Sequence, residues 1–127
     1  MHVGLIAHDS KKPDLVQFVR RHRDAFVGHQ IFATGHTGRE VMDAANLPVE
    51  CFLSGPQGGD QQMGAQIAQG AIDLLIFIRD PLFAHPHEPD VAALLRVSDV
   101  HGIPVATNLR TAECLLDLLR EGGRVQE

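Results

Sequence analysis

The sequence predicts one doubly wound, Rossmann-like α/β domain over residues 1–127, with five mainly parallel strands and helices on both faces. Three observations predict it. Short apolar runs alternate with amphipathic segments along the whole chain. One run, Asp73-Leu74-Leu75-Ile76-Phe77-Ile78, is apolar at every position after the first, as strands buried on both faces are. Each run is also followed by a cluster of polar residues, and ligands in such folds bind outside the carboxyl ends of the strands.

Val3-Gly4-Leu5-Ile6-Ala7 reads as the first strand. Pro13 then opens a helix, with Asp14 in its first turn. Leu15, Phe18, Val19, His22 and Phe26 recur at i, i+3, i+4, i+7 and i+11, one helical face. Gln30-Ile31-Phe32-Ala33 is the second strand, and Thr34-Gly35-His36-Thr37-Gly38 turns into a second helix ending near Ala45. Val49 to Leu53 is the third strand, and a loop with three glycines and a proline joins it to a helix over Gln61–Gln69. After the fourth strand, Asp73–Ile78, comes a long polar connection from Arg79 to Pro89. A fourth helix runs from Pro89 to His101 with Val91, Leu94 and Leu95 on one face. Pro104-Val105-Ala106 is a short fifth strand. Thr111 begins a last helix packed through Ala112, Leu115, Leu116 and Leu119, and the tail from Gly122 to Glu127 is expected to fray.

Composition narrows the function. The hydrophobic fraction of 44% and charged fraction of 21% are those of an ordinary soluble protein. A net charge of −5 argues against nucleic acid or a membrane surface as partner. No stretch approaches the roughly 18 apolar residues of a membrane span, and no signal peptide opens the chain, so a cytoplasmic setting is expected. Cys51 and Cys114 sit in apolar segments without CxxC spacing and are expected to be buried, reduced thiols.

The loop Ser54–Asp60 is the leading candidate site. Glycine permits positive φ and lets a ligand approach the backbone closely. Asp60 is expected at the helix N-cap, beside amides that face anything bound in the loop. A plain cap there is worth about 1 kcal/mol, while a carboxylate beside free amides also makes an acid/base and anion site. Thr34–Gly38 suits phosphate through backbone amides and hydroxyls, or serves only as a capped turn. It matches neither the P-loop nor the GxGxxG pattern, so no nucleotide is implied. Lys12 lies close enough after the first strand to reach a phosphate, whereas Lys11 reads as solvated.

The stretch Asp80–Asp90 supplies His85 and His87 with three carboxylates. His85, His87 and Asp90 raise a metal site, but no HExxH or equivalent pattern completes the ligand set. Proton transfer by histidine and carboxylate fits the same residues, so neither metal nor cofactor is expected. Ser54 and His8 raise a hydrolytic triad, yet no GxSxG elbow surrounds Ser54. His2, His22, His29 and His101 read as surface or helix-face residues without a role.

Taken together, the motifs resemble those of the methylglyoxal synthase family. The likeness is carried by Ala7-His8-Asp9 with Lys12, by Ala33-Thr34-Gly35-His36-Thr37-Gly38, and by Leu53-Ser54-Gly55-Pro56-Gln57-Gly58-Gly59-Asp60-Gln61-Gln62. Asp80-Pro81-Leu82, Pro86-His87-Glu88-Pro89-Asp90-Val91 and Pro104-Val105-Ala106-Thr107-Asn108 complete it in one order along the chain. The resemblance implies a cytoplasmic lyase without metal or cofactor that converts dihydroxyacetone phosphate to methylglyoxal and inorganic phosphate. It further implies a homohexamer inhibited by phosphate.

By the same resemblance Asp60 is the base that removes a C3 proton, and His87 and Asp90 assist proton movement on the substrate oxygens. Lys12, Thr34, Thr37, Ser54 and Gly55 hold the phosphate, and His8 lies against the substrate. His36 stands in the phosphate loop where the family commonly has threonine, which exchanges a hydroxyl for an imidazole. Arg79 stands where an apolar or aromatic residue is expected. A different class is also open: the same fold recurs as an effector-binding module in carbamoyl phosphate synthetase and in a purine-pathway cyclohydrolase. Such a module has no reason to keep Asp60, His87 and Asp90 together.

Overall fold

The computed structural model describes residues 1–83 and 88–125. Five strands, β1 (His2–Ala7), β2 (Gln30–Thr34), β3 (Val49–Phe52), β4 (Leu74–Ile78) and β5 (Val105–Ala106), form one sheet in the order β3-β2-β1-β4-β5. All four pairings are parallel, with Val3 flanked by Ile31 on one side and Leu74 on the other. The helices are α1 (Lys12–Arg21), α2 (Arg23–Phe26), α3 (Gly35–Ala45), α4 (Gly59–Ala68), α5 (Glu88–Val100) and α6 (Leu109–Val125). The expected α/β layer is present, and its sheet is parallel throughout.

Side-chain alternation along the strands divides the core. Val3, Leu5, Ile31, Ala33, Leu74 and Ile76 pack with α1, α2, α3 and α6. Ile6, Phe32, Leu75 and Phe77 pack with Met63 and Ile67 of α4 and with Val91 and Leu94 of α5. A strand covered on both sides must be apolar at consecutive positions, which is why β4 shows an unbroken run. Gly4 faces the α4 side bare because Met63 occupies the space: a Cβ there would lie 2.7 Å from its Sδ.

Several local expectations are corrected. The stripe from Leu15 to Phe26 is not one helix, since the chain breaks at His22 between α1 and α2. The break turns Phe26 back into the core, where its ring meets Phe18 edge-on at 6.4 Å. Cys51 and Cys114 are free but exposed rather than buried. Cys51 lies on the edge strand β3, and Cys114 falls off the buried stripe of α6 formed by Ala112, Leu116 and Leu119. His29 has a structural role, donating from Nε2 to the Leu119 carbonyl at 2.8 Å and so tying the entry of β2 to α6. His2 similarly donates from Nδ1 to the Ala71 carbonyl at 2.8 Å. The last helix starts earlier than Thr111, because Asn108 Oδ1 accepts the Thr111 N–H at 2.9 Å and its hydroxyl at 3.1 Å. It also runs on past Gly122, which packs so closely under Met1 that a Cβ would lie 2.5 Å from the Met1 Sδ.

Gly64 lies inside α4 where it crosses α5, and a Cβ built there would sit 3.7 Å from Leu94 Cδ1, an ordinary contact. Glycine in a helix interior costs about 0.5–1 kcal/mol relative to alanine. Gly64→Ala is therefore expected to raise the urea midpoint by that amount of stability with an unchanged slope. A lowered midpoint would show that the α4–α5 crossing has no room for a methyl group.

Candidate active site

Strand order reverses between β1 and β4, since the chain builds outward through β2 and β3 before crossing back. The connections that leave β1 and β4 therefore run to opposite faces of the sheet and leave a crevice, the usual ligand position in an open α/β sheet. A cavity of roughly 80 Å³ lies there. Its walls are His8 and Asp9 after β1, Lys12 of α1, Thr34 and Gly35 after β2, Ser54, Gly55 and Pro56 after β3, Asp60 of α4, and Phe77 of β4.

The loop after β3 is shaped by backbone constraints. Gly55–Gln57 form a single 3₁₀ turn, and the Ser54 carbonyl accepts the N–H groups of Gln57 at 3.0 Å and Gly59 at 2.8 Å. Gly58, at φ 110°, is the N-cap of α4, so Asp60 is the second residue of the helix rather than its cap. The loop closes two residues earlier than the sequence suggests because glycine alone takes that backbone angle without strain. Asp60 is 2% exposed and both its oxygens are buried, and among the described residues no side chain caps α4, so capping does not account for the carboxylate. A Cβ on Gly55 would come within 3.2 and 3.4 Å of the two Asp60 oxygens, so the bare Gly55 backbone faces the carboxylate.

Thr34 occupies the N-cap position of α3 without a capping hydrogen bond and is buried, and Gly35 follows at φ 55°. Thr37, one turn on, is fully buried with its hydroxyl unpartnered among the described residues. His36 points the other way: its side chain is exposed, and it does not line the cavity. The first amides of α3 and α4 have no partners within their helices and carry the positive end of each dipole. Lys12 adds a cation, 2.9 Å from Asp9 Oδ1, with its side chain only 22% exposed. The two helix N-termini and Lys12 bring positive potential to the cavity, and Asp60, in the first turn of α4, lines it as well.

His8 is 4% exposed and stands edge-on against Phe77, with ring centroids 5.3 Å apart. The Asp80 N–H donates to His8 Nδ1 at 2.9 Å, so a neutral ring carries its proton on Nε2. The Asp80 carboxylate in turn accepts the Ser10 hydroxyl at 2.7 Å and the Leu82 N–H at 3.1 Å. Asp80 thus anchors the connection that holds His8. Sequence reasoning named Asp9 and Asp80 only as alternative carboxylate bases and gave Phe77 no role; the available signal was their position at the carboxyl ends of β1 and β4.

The structure gathers His8, Lys12, Thr34, Ser54, Gly55 and Asp60 around the cavity. Thr37 and His36 are not among them, and neither is Asp90. It lines a second cavity of roughly 180 Å³ between α4 and α5, together with Asp60, Gln61 and Gly64. Asp60 therefore borders both cavities. His85 and His87 lie outside the described residues. Among the described residues, no three His, Cys, Asp or Glu side chains gather as a metal site would require.

A family model described as MGS-like domain matches residues 14–107. The methylglyoxal synthase of Carboxydothermus hydrogenoformans is 58% identical over 119 residues, covering 94% of this chain and 98% of that protein. That of Bacillus subtilis is 57% identical over 122 residues, covering 96% and 89%. That of Moorella thermoacetica is 54% identical over 121 residues, covering 95% and 94%. The crystal structure of methylglyoxal synthase from Elizabethkingia anophelis NUHP1 matches with a TM-score of 0.85 at 43% identity, over 91% of this chain and 76% of that one. With fold and sequence matching over nearly its whole length, this chain belongs to the methylglyoxal synthase family.

Proposed function

We propose that the cleft around Asp60 eliminates phosphate from dihydroxyacetone phosphate, giving methylglyoxal and inorganic phosphate through an enediolate. The observation that carries this reading is a buried carboxylate that lines one cavity with a cationic, amide-rich cradle and a held imidazole. Asp60 takes a proton from C3, α to the carbonyl, and the electron pair moves toward the carbonyl oxygen. His8 donates from Nε2 to that oxygen as its charge grows, with the ring held by the Asp80 amide. The pair then expels phosphate from C1, and the enol left behind becomes methylglyoxal. Asp90, from the neighbouring cavity, and His87 move protons on the substrate oxygens.

The leaving phosphate is held by Lys12, by the amides at the α3 start with Thr34 and Thr37, and by Ser54 and Gly55. His36, exposed and off the cavity, is left out of this set. Inorganic phosphate offers the same group to the same cradle and so acts as an inhibitor. The charges are met by lysine and helix amides, so the reading needs no metal or cofactor. It takes residues 1–127 as one catalytic domain. A homohexamer is part of the reading, as the family resemblance implies. So is a reducing, cytoplasmic compartment, which suits two free exposed thiols. Among the described residues, no helix is long and apolar enough to cross a membrane.

The test is to incubate purified protein with dihydroxyacetone phosphate and assay both products, with and without EDTA. Equal release of methylglyoxal and phosphate in both conditions is expected. Phosphate without methylglyoxal would mean a phosphatase. Activity lost to EDTA and restored by Zn²⁺ or Mn²⁺ would mean a metal enzyme.

Lys12→Ala is expected to weaken substrate and phosphate binding together by roughly ten- to a hundredfold, because a charge-assisted hydrogen bond is worth about 1.5–3 kcal/mol. Its ion pair with the highly exposed Asp9 contributes little to folding, so stability should barely change. Unchanged inhibition by phosphate in this variant would remove Lys12 from the phosphate cradle.

A further inference from the structure

We propose that Gln62 is a positioning residue that fixes the spacing of the two helix N-termini in the phosphate cradle; this rests on the phosphate-site reading above. Gln62 Oε1, on the first turn of α4, accepts the Leu53 N–H at 2.8 Å. The carbonyl of the same Leu53 accepts the Gly35 N–H, the first of α3, at 3.1 Å. One residue is therefore gripped at its N–H by α4 and at its C=O by α3. The sheet does not supply this grip, because β3 ends at Phe52 and its outer edge faces no further strand. The Leu53 side chain is half-exposed, so burial anchors it weakly.

What Leu53 holds is the cradle itself. Ser54 follows directly, and its carbonyl closes the 3₁₀ turn and meets the Gly59 N–H. Gly35 touches the same loop: a Cβ on it would stand 3.2 Å from Ser54 Cα. Slack at Leu53 passes both ways, to Ser54 and Gly55 on one side and to Gly35 on the other, and all three line the cavity. Gln62 contributes an acceptor of the right reach and nothing to the core, since its side chain is exposed. The expected signature is a fault in binding with the fold and the chemical step largely kept.

The experiment compares wild type, Gln62→Met and Gln62→Glu, measured in about 0.3 M salt to screen the added charge of glutamate. Methionine keeps the length and loses the acceptor, whereas glutamate keeps an acceptor oxygen. Phosphate affinity by calorimetry and KM for dihydroxyacetone phosphate should both worsen about three- to tenfold in Gln62→Met, as loss of one neutral hydrogen bond implies. Its kcat should fall by less than KM rises, its urea midpoint should stay near wild type, and Gln62→Glu should recover most of the affinity. Wild-type phosphate affinity in Gln62→Met, or no recovery in Gln62→Glu, overturns the proposal. A Gln62→Met protein that loses its fold along with its affinity makes Gln62 a structural residue and overturns it equally. Wild-type protein that binds no phosphate sinks the functional reading itself, and the proposal with it.

Discussion

Asp60→Asn is expected to give a folded protein that binds substrate and phosphate at least as well as wild type and turns over at least about a hundredfold more slowly. The rate follows from the chemistry, since a positioned base typically contributes 10²–10⁴-fold and an amide cannot accept the C3 proton. The affinity follows from charge. The carboxylate lines the same small cavity as the phosphate cradle, and removing it lifts a repulsion on a bound dianion. Stability should change by at most about 1 kcal/mol, the worth of a carboxylate in a helix's first turn. The substitution removes no cap, because Gly58 fills that place.

Exchange of the C3 proton with solvent deuterium is the sharper measurement, because it separates proton abstraction from phosphate loss. In Asp60→Asn it should fall in parallel with turnover. Exchange at the wild-type rate would place the base elsewhere. Asp9, in the same cavity, Asp80, whose amide holds His8, and Asp90, in the neighbouring cavity, would then be the groups to replace next.

The fold was legible because its signals are local and periodic. A doubly covered β4 cannot hide, and every loop that lines the cavity follows a strand, as the glycine and polar clusters indicated. Side-chain direction at helix starts was less legible. Read as a loop, Thr34–Gly38 offers every side chain to a ligand alike. Once α3 is known to begin at Gly35, a turn of about 100° per residue puts Thr34 and Thr37 on the buried side and His36 outside. The same geometry moves Asp60 off the cap and into the helix, because the left-handed Gly58 starts α4 before it. The grip on His8 was hidden for a different reason. It comes from a backbone amide of Asp80, 72 residues away, and a backbone donor leaves no mark in the sequence. Gln62 is similar: its identity was plain within the motif, but its partner is the main chain of Leu53.

Gly59→Ala is expected to damage both stability and activity, while the same substitution five residues on, at Gly64, improves stability. A Cβ on Gly59 would overlap the Leu53 carbonyl and press on the Ser54 carbonyl carbon, which are backbone atoms with no rotamer to yield. The loop must therefore shift, and the 2.8 Å bond from the Gly59 N–H to the Ser54 carbonyl lengthens or breaks. Overpacking typically costs about 1–3 kcal/mol and a lost hydrogen bond about 0.5–1.5 kcal/mol, so a loss of roughly 2–4 kcal/mol is expected. A domain of ordinary stability, about 5–15 kcal/mol, survives that, so kinetics can be read on folded protein. Activity should suffer more than stability suggests, because Ser54 and Gly55 sit on the moving loop and Gly55 faces the Asp60 carboxylate. A displacement of about 1 Å between reacting groups can cost around a hundredfold, so kcat/KM should drop by at least that order. Urea midpoints and kcat/KM for Gly59→Ala and Gly64→Ala, measured side by side, test the geometry directly. Two alanines of equal stability, with Gly59→Ala still fully active, would mean that the loop does not close against Leu53 in solution.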